Sequence, residues 1–142
     1  MAFFGGLVGI YGLLWLLSLI GVNALADNDL KGTIAAAIMF AVAGVLHFVF
    51  PKKYYALMPR DLWHKEIINF ALGVAEIILG IGLLFENLRT NAAYGLVVLL
   101  IVVFPANVKM AFKKGGFYYV SRLFFQPVFI WWLFWFCILT GQ

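Results

Sequence analysis

The stretch Asn69-Phe70-Ala71-Leu72-Gly73-Val74-Ala75-Glu76-Ile77-Ile78-Leu79-Gly80-Ile81-Gly82-Leu83-Leu84 decides the fold. Glu76 is its only charged residue. From Ile67 to Leu84 the run is long enough to cross most of a bilayer as a helix. A carboxylate in hydrocarbon costs at least about 2.5–3.5 kcal/mol on insertion scales, so it must face protein or water. Gly73 and Gly80 stand at i−3 and i+4 from Glu76, on the same helical face. Glycines on that face admit a second helix at close range. The pattern predicts that Glu76 points into a helix bundle.

Composition agrees. The 142 residues are 65% hydrophobic and 11% charged, with a mean hydropathy of +1.04. Soluble domains are nearer about 45–50% apolar and about 25% charged. The chain therefore reads as an integral membrane protein forming a single domain over residues 1–142. Its formal charge of +4 does not indicate nucleic acid. The basic residues fall in short segments between apolar runs, where they act as orientation signals and lipid headgroup contacts. A single cysteine, Cys137, excludes an internal disulfide, a CxxC pair and a Cys-rich metal site.

Five transmembrane helices are expected. Phe3 to Ala26 is an uncharged apolar run. Ala24-Leu25-Ala26 resembles a signal-peptide cleavage site, but no Lys or Arg precedes the run and it exceeds a signal-peptide core, so it is read as helix 1. Asp27 to Gly32 is a polar turn suited to capping the next helix. Thr33 to Phe50 forms helix 2 and ends before Pro51. Pro51 to Glu66 is a basic-aromatic loop fit for the headgroup layer. Helix 3 carries Glu76. Helix 4 runs from about Ala92, and Pro105 is expected to kink or end it near Phe104. Helix 5 extends from Tyr119 to Thr140.

Eight of the ten Lys and Arg residues lie on one side of this arrangement; Lys31 and Arg89 lie on the other. The positive-inside rule then puts the N-terminus in the cytoplasm and the C-terminus outside. Counting about 1.5 Å per residue from that face, Glu76 sits roughly 14 Å deep. His47, Asn107 and Gln126 fall in the same cytoplasmic half, with Arg122 close to its edge. The outer half has almost no polar side chains. A site is expected where these residues meet, with at least one of His47, Asn107, Arg122 and Gln126 within hydrogen-bond reach of Glu76, about 2.6–3.2 Å, directly or through one water.

At these residues the chain resembles the DoxX family of small membrane proteins. The matching stretches are Gly44 to Pro51 with Tyr54 and Pro59, Gly73 to Gly80, Phe104 to Asn107, and Arg122-Leu123 with Gln126. In the family a proline often lies between the Arg-Leu pair and the Gln; here Phe124 and Phe125 fill the gap and Pro127 follows. The resemblance implies a four-helix core over residues 33–142, with residues 1–32 an added helix and turn. It also adds Tyr54 to the candidate ligand-binding set of His47, Asn107, Arg122 and Gln126. It implies a bacterial inner-membrane protein, a quinone-like or lipid ligand, and a redox or stress role, such as a subunit or accessory of a quinone-linked oxidoreductase. A eukaryotic relative implies instead an assembly factor for another membrane protein. The core is also similar to that of vitamin K epoxide reductase, whose chemistry needs paired cysteines that this chain lacks.

The single residues carry alternatives. Glu76 is either a catalytic, proton-accepting or ligand-orienting acid, or a neutral or paired structural one. His47 would need a second ligand at depth to hold haem or metal; His64, the only other histidine, lies in a loop. Asn107 and Gln126 suit helix–helix hydrogen bonding. Trp131, Trp132 and Trp135 suit lipid-facing packing over a quinone stack, and Cys137 reads as a buried inert thiol. Expected partners are membrane lipids, a quinone, or another membrane protein, including a second copy. A transporter reading predicts a second polar layer toward the outside, which the sequence lacks.

Overall fold

The structure, a computed structural model, describes residues 2–21, 27–59 and 61–139, and they are helical with no strand among them. The helices are α1 (Ala2–Leu19), α2 (Asn28–Val49), α3 (Pro51–Leu57), α4 (Lys65–Gly82), α5 (Glu86–Lys114) and α6 (Phe117–Leu133), with α6 continuing as a π-helical segment over Phe134–Leu139. Among the described residues three helices are long and apolar enough to cross a membrane: Asn28–Val49, Glu86–Lys114 and Tyr119–Leu139. The helix through Phe3–Leu19 is apolar but shorter. The expected extension of helix 1 to Ala26, the Ala24-Leu25-Ala26 triplet, Arg60 and Thr140 lie outside the described residues.

Local sequence explains most boundaries. The Asp27 carboxylate accepts from the Asp29 backbone N–H at 2.9 Å and caps α2. Helix α2 therefore begins at Asn28, five residues before the expected Thr33. Pro51 does stop α2, but it also opens α3, because proline is well suited to a first helical position. The expected loop after Phe50 is thus partly helical. Gly115 and Gly116 have φ of 62° and 87°, the left-handed region glycine tolerates, and they end α5.

Pro105 does not break its helix; α5 runs unbroken over 29 residues. Proline brings no N–H to the preceding turn. One residue from the carbonyl that it leaves, Leu100 O accepts Gln126 Nε2–H from α6. Neighbouring helices commonly support a proline in an apolar bundle this way.

The tightest crossing is between α2 and α4, and glycine makes it. A Cβ at Gly44 would fall 2.6 Å from the Gly73 carbonyl; one at Gly73 would fall 2.9 Å from His47 Cβ. One at Gly80 would fall 2.9 Å from the Ala41 nitrogen. The core lies beside this crossing, where Leu7, Phe40, Leu83, Leu96, Leu133 and Ile138 are buried. Ala35, Ala36, Ala92 and Ala93 keep the helices close there. Phe3 meets Phe40 and Phe129 edge-on and seats α1 against α2 and α6.

Candidate functional site

The α2–α4 crossing assembles the polar cluster. His47 and Asn69 are both buried. Asn69 lies seven residues before Glu76 and four before Gly73, on the stripe that faces α2. Its Nδ2 donates to the His47 carbonyl at 2.9 Å, and its Oδ1 stands 2.8 Å from His47 Nδ1. Since the amide NH2 group is committed to the carbonyl, Oδ1 can only accept. His47 Nδ1 therefore carries the proton. The other ring nitrogen, Nε2, faces Glu76 Oε2 at 3.5 Å.

This arrangement sets two titratable groups side by side. With Nδ1 protonated, a neutral His47 presents a lone pair on Nε2 to a protonated Glu76, and a charged His47 presents N–H to a carboxylate. Both forms carry the same proton and the same net charge. The separation exceeds a hydrogen bond, and Oε2 has no hydrogen-bond partner among the described residues. The ring is held by Asn69 on one edge, and the Tyr54 ring lies over it with centroids 3.7 Å apart. Helix α3 thereby covers the end of the cluster. Arg122 on α6 is half-buried, and its charge acts on both Glu76 and His47.

Not all the residues expected to meet do so. Asn107 and Gln126 come together, with Asn107 Nδ2 donating to Gln126 Oε1 at 3.1 Å. Gln126 also donates to Leu100 O. Their polar groups join α5 to α6 and do not bond Glu76 Oε2. No expected partner stands within 3.2 Å of that atom; His47 approaches to 3.5 Å, because Asn69 and Tyr54 fix its ring. Axial depth set these residues at similar heights, but rotation about each helix decides which of them touch.

Two clefts open at the α3 end, of about 420 and 530 Å3. Neither is lined by Glu76, Asn107 or Gln126, so neither opens onto the Glu76 cluster. Among the described residues no group of three or more His, Cys, Asp and Glu could hold a metal ion.

The opposite end is more polar than expected. Thr33 Oγ1 donates to the Phe136 carbonyl at 2.8 Å, and Cys137 Sγ lies 3.6 Å from Thr33 Oγ1. Trp132 is buried and its Nε1 donates to Gly32 O at 3.0 Å, so it does not face lipid. Trp131 and Trp135 are exposed and stack with centroids 6.1 Å apart.

Asn69 is the site residue that sequence reasoning passed over. The available signal was its place on the Gly73–Glu76–Gly80 stripe, which requires a polar group there to find a partner on the approaching helix.

The fold and this cluster define a class: a small apolar helical bundle with a largely buried His–Asn–Glu group at a glycine-lined crossing. Residues 36–137 match the family described as a domain of unknown function, DUF8561, and the chain belongs to that family. The match spans the segment from α2 to the π-helical end and leaves out α1. No curated protein and no solved structure matches the chain.

Proposed function

We propose that this is a DoxX-like integral membrane protein whose Glu76–His47 pair binds the polar head of a quinone-like or lipid ligand, as an accessory to membrane redox chemistry. In this reading α1, α2, α4, α5 and α6 are five spans of a bacterial inner membrane, with the N-terminus in the cytoplasm. The split of Lys and Arg supports that orientation. The observation that carries the ligand reading is the state of Glu76. The side chain as a whole keeps 14% exposure, while Oε2 itself is enclosed and stands unbonded beside a histidine already oriented by Asn69. A carbonyl or hydroxyl head entering between the helices gives that oxygen a partner. The pair then donates one proton to a ligand carbonyl or takes one from a hydroxyl. The redox content rests on resemblance, which is an analogy of fold.

The test is native mass spectrometry of the purified protein, followed by Glu76→Gln. A quinone or lipid that stays bound to the wild type and is lost from a folded Glu76→Gln variant supports the reading. Equal retention by both proteins overturns it.

A second reading has one observation in its favour. Trp131, Phe134 and Trp135 present a continuous exposed apolar face on the last helix, as an assembly factor for another membrane protein would. That reading predicts a co-purifying membrane protein that Glu76→Gln still retains.

A further inference from the structure

We propose that the cleft bounded by Tyr55, Met58, Lys65, Met110, Lys113 and Lys114 binds the headgroup phosphate of an acidic membrane lipid. It shares no residue with the Glu76 cluster and does not depend on that reading.

Charge is the first argument. Three ammonium groups line this cleft of about 530 Å3, and no carboxylate does. The nearby Asp61 is hydrogen-bonded by Lys109, and its charge reaches Lys113 only at longer range. Glu66 borders the neighbouring cleft, with His64 and Ile67, which makes that one the poorer anion site. Among the described residues neither Lys65 nor Lys113 is ion-paired. Lys114 donates to the Ala56 carbonyl at 2.8 Å. That bond uses one of its three N–H groups and fixes the ammonium at the cleft edge with two left to donate. Helix α4 also begins at Lys65 with no side chain capping its first N–H groups, so its positive pole lies on this side. The negative pole at the end of α5 is offset by Lys113 and Lys114 themselves.

The surroundings select a lipid over a free anion. Met58 and Met110 give the cleft apolar walls beside the cations. Phe112 on α5 and Phe117 at the start of α6 are 87% and 73% exposed, and Trp63 before α4 is 81% exposed. Exposed aromatic rings beside lysines mark the depth of headgroups in a bilayer. A phosphate held by the lysines would let its glycerol and acyl portion run along these apolar surfaces.

The experiment measures lipids retained by the full chain from mixed micelles of phosphatidylglycerol and phosphatidylcholine, by native mass spectrometry. The expected result is preferential retention of phosphatidylglycerol. It should fall about tenfold or more in Lys65→Gln/Lys113→Gln, because each substitution removes an ammonium that would hydrogen-bond the bound phosphate directly. Lys52→Gln/Lys53→Gln makes the same charge change outside the cleft and should retain the preference within about twofold at physiological salt, where exposed charges away from the phosphate are screened. Equal losses in the two double variants would mean a diffuse field and overturn the site, as would no preference in the wild type. Repeating the measurement in inorganic phosphate against chloride of equal ionic strength separates the sources. Retention that persists supports a lipid. Displacement of the lipid by phosphate, lost in Lys65→Gln/Lys113→Gln, assigns the cleft to a soluble anion and overturns the proposal.

Discussion

Asn69 grips His47 at two points: its amide oxygen accepts a hydrogen bond from Nδ1–H at 2.8 Å, and its amide nitrogen donates to the His47 backbone carbonyl at 2.9 Å. One side chain on α4 thus fixes both the backbone of α2 and the protonation pattern of the imidazole. Replacing it with Leu leaves a buried donor and a buried acceptor unsatisfied, at about 1–3 kcal/mol each. Asn69→Leu should lower the melting temperature in detergent clearly, and Asn69→Gln only partly restore it. An unchanged melting temperature for Asn69→Leu would show that the grip does not stabilise the crossing.

The glycines make opposite predictions by position. Gly73→Ala sets a methyl group 2.9 Å from His47 Cβ and 3.0 Å from the Gly44 carbonyl. Overpacking of this kind costs about 1–3 kcal/mol. Gly9 on α1 meets nothing within 4 Å, so Gly9→Ala should stabilise by about 0.5–1 kcal/mol through helix propensity. Chemical or thermal unfolding of the two variants checks the difference in sign.

Gln126 should matter more than Asn107. Gln126 is buried and bonds both Asn107 and the Leu100 carbonyl, whereas Asn107 is half-buried and donates to Gln126. Gln126→Leu removes both of these bonds and leaves Asn107 Nδ2 without its acceptor, and it should cost about 1–3 kcal/mol, against about 0.5–1.5 kcal/mol for Asn107→Ala. Unfolding experiments that reverse this order would remove Gln126 as the support for Pro105.

At the surface, the Lys109 ammonium hydrogen-bonded to Asp61 holds that carboxyl below the usual carboxylate range. A depressed folded value means that the contribution is present above the ordinary carboxylate value and is lost as pH falls through the folded one. Both side chains are exposed, so the effect is small and shrinks in salt. In Lys109→Met the Asp61 carboxyl should titrate closer to its ordinary value by NMR. No change would mean the contact does not persist in solution.

The proposed topology is checked by labelling. In a Cys137→Ser background, cysteine at Asp29 should react with an impermeant thiol reagent from outside, and cysteine at Lys113 from inside. The opposite pattern would invert the bundle.

Much of the fold was legible in the apolar runs, and the Asp27 cap was legible in the polar turn. Rotation about the helix axes was not. In an apolar bundle, lipid-facing and partner-facing surfaces have nearly the same composition, so hydrophobic periodicity gives little sign of which residues point inward. Trp132 therefore read like Trp131 and Trp135, although only Trp132 turns inward to Gly32. The same limit hid the pairing of Asn107 with Gln126. At Pro105, where a kink or an end was expected, the helix does not end for another reason: the outcome depends on whether a neighbouring helix supports the disturbed turn, and that neighbour follows 21 residues later at Gln126.

The latch between the two ends of the chain has a consequence for assembly. Thr33 bonds the Phe136 carbonyl across 103 residues, and Gly32 accepts from Trp132 across 100. The first turns of α2 leave the ribosome early, but both of these partners are made at the end of synthesis. Until then neither bond can form, and the start of α2 keeps only the contacts of its own helix and of the elements already made. It therefore reaches its final packing only when the last helix arrives.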